Sequence, residues 1–289
     1  MILSVWGVST VGRCALIAAV VVGCVLLATP TLANSLLPTG HPVVAPVAPP
    51  ELVPAVVPEY AQAMVAAAEA AAPDGMAWGA AVLDVATGDV AQAGEAAFYS
   101  ASLSKLMLIV DMLDGDAELD AEDRELALRA LSLSDDNAMN ALWTRFDGPG
   151  AMSRVADALG LPDTATPEDP SQWGETVVSP VGFTRLFQHI LTEMAPADRD
   201  LIVSGLSAAQ PRAADGFDQF FGLLGQQAQV YAKQGWMYYG SQLYLHSAGV
   251  VHGPTGDYVV VLMTRQRTGT TAADNVTAVA SAMLGALRG

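Results

Sequence analysis

The stretch "FYSASLSKLMLIVDML", residues 98–113, sets Ser102 three places ahead of Lys105 at the opening of an apolar helical pattern. Side chains three apart lie on one face of a helix, so the amine can reach the hydroxyl. Lys105 and Lys233 are the only lysines in 289 residues, whereas arginine occurs eleven times. Surface positive charge has thus been supplied by arginine. An ammonium can lose its proton and a guanidinium effectively cannot, so two lysines kept against that bias point to chemistry, with Ser102 as nucleophile and Lys105 as its base.

Outward from this pair, "EYAQAMVAAAEAAA" predicts a helix over residues 59–72, ended by "PDG". "AWGAAVLDVATGDVAQAG" reads as two strands joined at "ATGD". Residues 102–195 are mostly helical by period: Asp120 caps "AEDRELALRALSL", "NAMNALWTRF" follows, and "SPVGFTRLFQHILTEM" is amphipathic. The strand pattern returns in "AQVYAKQGWMYY", "SQLYLHSAGVV" and "DYVVVLMTRQR", and "TAADNVTAVASAMLGAL" closes the chain as a helix. This order predicts an α+β fold: a five-stranded antiparallel sheet built from both ends of the chain, flanked by the terminal helices, with a helical lobe inserted between.

The first 33 residues read as targeting. Arg13 precedes "CALIAAVVVGCVLLATPTLA", the pattern of a secretory signal with a cleavage setting at Ala33, or of an uncleaved anchor. "VVGC" also resembles a bacterial lipobox, which would place a lipid on Cys24; the apolar run continuing past Cys24 argues against it. Residues 34–58 carry seven of the seventeen prolines and read as a tether, leaving 59–289 as the folded domain. A secreted or membrane-tethered envelope location follows, with membrane contact only through the N-terminal segment. Cys14 and Cys24 are the only cysteines, so the exported part has neither disulfide nor thiol chemistry. From residue 60 onward 12 Lys and Arg stand against 28 Asp and Glu, a surface that repels nucleic acid.

Three segments line up in order: Ser102-x-x-Lys105, "SLSDDNAMNALW" (132–143) and "AKQGW" (232–236). Together they resemble the S-x-x-K, S-D-N and K-T-G motifs of the penicillin-recognising serine hydrolases, the class A β-lactamases and D-alanyl-D-alanine peptidases. The resemblance covers nearly all of residues 59–289. It implies the β-lactamase/transpeptidase-like fold, an acyl-enzyme on Ser102 with Lys105 as base, and Ser134 relaying a proton to the leaving group. Lys233 would lower the pKa of Lys105 and attract a substrate carboxylate, with Asp136, Gln234 and Gly235 completing the substrate-binding set. The backbone N–H of Ser102 and one from the Lys233 strand would form the oxyanion hole. β-Lactams or peptidoglycan stem-peptide amides are the implied substrates, with no cofactor and a monomeric state.

The departures from that pattern bear on turnover. Asp136 stands where Asn is usual, and Gln234 where Thr is usual. Ser134 follows Ser102 by only 32 residues, which predicts a reduced helical lobe. "LPDTATPEDPSQWGETVVSP" lacks the E-x-x-L-N that carries the deacylating glutamate, and Glu168 is the nearest candidate for a deacylation base. An acylating serine with slow deacylation is therefore expected; the alternative is an idle envelope protein that keeps the fold to bind wall fragments or a partner. Asp114, Asp116, Glu118 and Glu125 fall at calcium-loop positions, but Leu119 stands where the turn needs Gly, so a solvated turn is the reading. His41, His189, His246 and His252 show no metal spacing, and no metal site is expected. His246 could face the cleft, as could one of Trp236, Tyr238 and Tyr239.

Overall fold

The structure is a computed structural model that describes residues 59–115, 117–226 and 228–287; the leader, the tether, Cys14, Cys24, His41 and Asp116 lie outside the described residues. Helix α1 (Tyr60–Ala71) leads into β1 (Ala77–Asp84) and β2 (Val90–Gly94). A short strand β3 (Phe98–Tyr99) and the 3₁₀ turn Ala101–Leu103 deliver the chain to α2 (Ser104–Asp114). Then follow α3 (Ala121–Ser132), α4 (Asp136–Arg145), α5 (Gly148–Leu159), the 3₁₀ turn Trp173–Glu175, β4 (Val177–Val178), α6 (Pro180–Thr192) and α7 (Pro196–Ser207). Strands β5 (Val230–Tyr239), β6 (Gln242–Gly253) and β7 (Gly256–Arg267) precede α8 (Ala272–Gly285).

The main sheet has the order β2-β1-β7-β6-β5, all antiparallel, so the first hairpin joins the C-terminal strands through β1 beside β7. Its central strands are buried on both faces, which explains why β6 and β7 read as near-continuous apolar runs. The pleat sorts them: Val259, Val261 and Met263 pack with the helical lobe, while Tyr258, Val260 and Leu262 pack with α1 and α8. Asp120 caps α3 as read, its carboxylate accepting from the Asp123 amide at 2.9 Å while Asp123 answers the Asp120 amide at 3.1 Å. Two elements escaped the sequence reading: α7, and the two-stranded β3–β4 pair that ties the segment before Ser102 to the loop ahead of α6. Asp114 is engaged by His189 Nε2 at 2.6 Å.

His246 on β6 does not face the cleft. It is fully buried, and its two ring nitrogens are both used: Nε2–H donates to the Tyr99 carbonyl at 2.7 Å, and Nδ1 accepts from the Thr264 amide at 3.1 Å. The neutral ring thereby pins the chain three residues ahead of Ser102 to the sheet. Burial pushes its pKa down to about 4 from 6.5. A base with a depressed folded pKa stabilises the fold above its unfolded pKa and loses that contribution as pH falls. Stability should thus decline from pH 6.5 toward pH 4 by about 1.4 kcal/mol per unit, approaching about 3 kcal/mol. Urea midpoints at pH 7 and pH 5 should show the drop in wild type and a flatter profile in His246→Gln, which keeps one donor and one acceptor; equal slopes would remove His246 as the cause.

Candidate active site

Ser102 lies in the 3₁₀ turn that opens α2, and Lys105 one turn further along. Lys105 Nζ donates to Ser102 Oγ at 2.6 Å and to Asp136 Oδ1 at 2.7 Å, and sits 4.1 Å from the centre of the Trp173 ring. Both catalytic-motif side chains are nearly sealed: Lys105 is fully buried and Ser102 is 4 % exposed. Burial drives the Lys105 pKa down, Asp136 pulls it partly back, and the result is about 8. About a tenth of such an amine is neutral at pH 7, enough to accept a hydroxyl proton.

Lys233 comes from β5. Its ammonium donates to Ser134 Oγ at 2.8 Å and to the Gln234 carbonyl at 2.8 Å, and it too is fully buried. Burial, then the neighbouring Lys105 charge, hold its pKa well below the usual lysine value. Ser134 is presented by the turn before α4, where Asp135 caps the helix by accepting from the Asn137 and Ala138 amides at 2.9 and 3.2 Å. Two residues of this site hold backbone conformations uncommon without glycine: Ala101, with φ +47°, and Ser134, with φ +50°. Each costs on the order of 1–3 kcal/mol, a strain that is concentrated beside the two hydroxyls. Ser102–Lys105–Asp136 and Ser134–Lys233 thus form two hydrogen-bonded groups, close enough for the Lys105 charge to act on Lys233.

Two sequence expectations, for Gln234 and Glu168, are corrected, and Gly235 has a reason of its own to lack a side chain. Gln234 is not presented to the cleft: neighbouring strand residues face opposite ways, so with Lys233 toward the lobe Gln234 turns to the other face, where its amide donates to the Phe221 carbonyl. Gly235 has a packing role. A Cβ there would lie 3.1 Å from the Ser100 carbonyl oxygen and 3.3 Å from Leu103, so the missing side chain lets β5 approach the turn that carries Ser102. Glu168 is exposed and does not line the cavity at Ser102.

The loop contributes Trp173 in its stead. Its indole N–H donates to Asn140 Oδ1 at 2.9 Å, which turns the ring onto Lys105. The loop backbone is tied to the turn that carries Ser102: the Ser100 amide donates to the Thr176 carbonyl at 2.8 Å, and Ser100 Oγ to that of Gly174 at 3.4 Å. Sequence reading missed Trp173, although a tryptophan in the otherwise polar "PSQWGE" was a signal. Trp236 does line the cavity; its ring stacks on Phe217 with centroids 4.8 Å apart, and its N–H donates to Asp215 at 3.0 Å. Tyr238 and Tyr239 are exposed.

A model of the Beta-lactamase enzyme family matches residues 116–287, a span that includes Ser134 and Lys233 and begins after Lys105. Proteins of Mycobacterium bovis and Mycobacterium tuberculosis named "Putative lipoprotein LppW" are 33 % identical over 210 residues, 69 % of this chain and 67 % of theirs. Among solved structures, a β-lactamase from Chitinophaga pinensis superposes with a TM-score of 0.60 at 17 % identity, covering 78 % of this chain and 97 % of its own. One from Sphaerobacter thermophilus gives 0.59 at 19 %, over 78 % and 97 %.

With two lysines in the chain, carbon-13 labelling of lysine Cε yields two resonances, assigned by Lys105→Arg. The Lys105 signal should titrate near pH 8 in wild type. Asp136→Asn removes the carboxylate that favours the charged form, so the midpoint should fall, by about one unit or more. An unchanged or raised midpoint would contradict the role given to Asp136.

Proposed function

The chain belongs to the β-lactamase enzyme family, and from that footing we propose that it is an extracytoplasmic serine hydrolase that forms an acyl-enzyme on Ser102. The observation that carries this reading is the buried 2.6 Å hydrogen bond between Lys105 Nζ and Ser102 Oγ, on an amine whose pKa is lowered to about 8. Lys105 takes the hydroxyl proton as Oγ attacks an acyl carbonyl. The developing oxyanion is met by the Ser102 amide at the start of α2 and by an amide of β5, an edge strand with donors on its outer side. Ser134, held by Lys233, hands a proton to the leaving group. The substrates are β-lactams or stem-peptide amides of the cell wall. The relatives' name as lipoproteins supports an envelope location, reached through the N-terminal leader and Pro-rich tether.

Deacylation is the slow step. It needs a carboxylate that holds water at the ester, and a positioned base is worth about 10² to 10⁴ in rate. Glu168 points to solvent, while the ring of Trp173 covers Lys105. Asp136 is spent on the Lys105 ammonium. A second reading, an idle binding protein, draws on the 4 % exposure of Ser102 and its cavity of about 210 Å³.

A fluorophosphonate and a fluorescent penicillin separate the two. Wild type should be labelled, Ser102→Ala not at all, and Lys105→Arg at less than about 1 % of the wild-type rate, because a guanidinium cannot accept the proton. With nitrocefin, a stoichiometric burst and an adduct visible by intact mass are expected, unchanged in Glu168→Gln. Folded wild-type protein that neither probe labels would favour the idle reading; rapid turnover lost in Glu168→Gln would overturn slow deacylation.

A further inference from the structure

The cavity that opens on Ser102 carries an unusual charge. Among the described residues that line it, Asp136 is the only one with a charged side chain, and that side chain is 57 % exposed. Neither lysine is available to a ligand's carboxylate. Lys105 is fully buried against Asp136, Ser102 and Trp173. Lys233 is fully buried beneath Ser134 and its own strand. No arginine lines the cavity; Arg129 is paired with Asp135, and Arg212 faces Asp218 and the Gly216 carbonyl. A second carboxylate, Asp215, holds the Trp236 indole at the same wall and is itself exposed. An anionic group beside the attacked carbonyl would enter against both carboxylates, whereas the carboxylate of a β-lactam or a stem peptide lies on the leaving-group side.

The walls fit the opposite charge. Trp173 and Trp236 both line the cavity, and indole is the aromatic group that attracts cations best. Trp173 already demonstrates this with the Lys105 ammonium at 4.1 Å. Asp136 has a second carboxylate oxygen free of the Lys105 contact, which uses Oδ1. Two hydrogen bonds, of 2.7 and 2.6 Å through Lys105 Nζ, separate Asp136 from the nucleophilic oxygen. A positive group on the carbon next to the attacked carbonyl falls within that reach. The cavity of about 210 Å³ is smaller than the roughly 300–1,000 Å³ typical of drug-sized ligands, so the group beside the carbonyl is compact.

We propose that the Ser102 cavity selects acyl donors that carry a cationic nitrogen beside the scissile carbonyl, held by Asp136 between Trp173 and Trp236. The inference rests on the acyl-enzyme reading above and names the substrate class for that site. The step balances as in any acyl transfer: the Ser102 Oγ–acyl bond forms, the acyl–leaving-group bond breaks, Lys105 takes the serine proton, and Ser134 gives its own to the leaving group and is reprotonated from the lysines, so one proton in all moves from Ser102 to the leaving group. The cation takes no part in the bond changes and sets only which donor is held.

The test uses two 4-nitrophenyl esters of one shape, glycine betaine ester with its permanent charge and the neutral 3,3-dimethylbutanoate ester. Each rate of Ser102 acylation, read by intact mass and nitrophenolate release, is divided by that ester's own hydroxide hydrolysis rate, which removes the inductive effect of the charge. The betaine ester should be favoured by about tenfold or more in wild type, by less at high salt, and not in Asp136→Asn. Calorimetry on Ser102→Ala with glycine betaine amide and 3,3-dimethylbutanamide reads the same selectivity without acylation, so it stands even if no ester reacts. Equal affinities there, or a normalised ratio near one that Asp136→Asn leaves unchanged, would overturn the proposal. Failure of both esters and of the fluorophosphonate, with the cationic amide still preferred, would instead sink the acyl-enzyme reading alone.

Discussion

Two lysine side chains placed side by side out of water are the constraint on which the rest of this molecule depends. Desolvation disfavours each charge, and the Lys105 charge further disfavours that of Lys233. The fold answers with one exposed carboxylate, the face of one indole, two serine hydroxyls and one strand carbonyl. Each partner comes from a different element. The 3₁₀ turn ahead of α2 brings Ser102, α4 brings Asp136, the turn before it brings Ser134, and the loop ahead of β4 brings Trp173. The helical lobe is therefore the shell that keeps two amines dry, and the left-handed backbone at Ala101 and Ser134 is the local cost of aiming both hydroxyls at them.

This arrangement also gives the two amines distinct work. Lys105 retains a pKa near 8 because Asp136 counters part of its burial; Lys233 has no carboxylate within hydrogen-bonding distance, and burial and the Lys105 charge hold its pKa well below the usual lysine value. One amine is poised to exchange a proton near neutral pH, and the other is tuned to hold a hydroxyl. Asp136 serves the first amine at its Oδ1 and leaves the cavity negatively charged, so the one residue at position 136 bears on both the basicity of Lys105 and the charge of the cavity.

Much of this was legible in the sequence because it is local. The Ser102–Lys105 spacing is a property of one helical turn, Asp120 caps the helix that follows it, and the paired apolar runs at the C-terminus are strands buried on both sides. The three motifs, in order, gave the fold class. Helix α7 was harder to see: only Ile202, Gly205 and Leu206 of its twelve residues are buried, so its apolar stripe is too thin to stand out. Gln234 was misplaced because the motif was read as a string of letters, without the two-residue period of the strand that carries it. Trp173 and its 4.1 Å contact with Lys105 join residues far apart in the chain, and no periodicity records such a meeting.

Strand β5 has one further consequence. It is ten residues long and lies at the margin of the sheet, the position from which unpaired amides and carbonyls recruit other chains into intermolecular sheets. Here the turn bearing Ser102 packs over Gly235, and Gly174 lies against Met237, so the parts assembled around Ser102 cover a face of this strand and crowd the approach of a second sheet. The crowding around the hydroxyl and the guarding of an edge strand are thus properties of one surface, and loosening the first would expose the second.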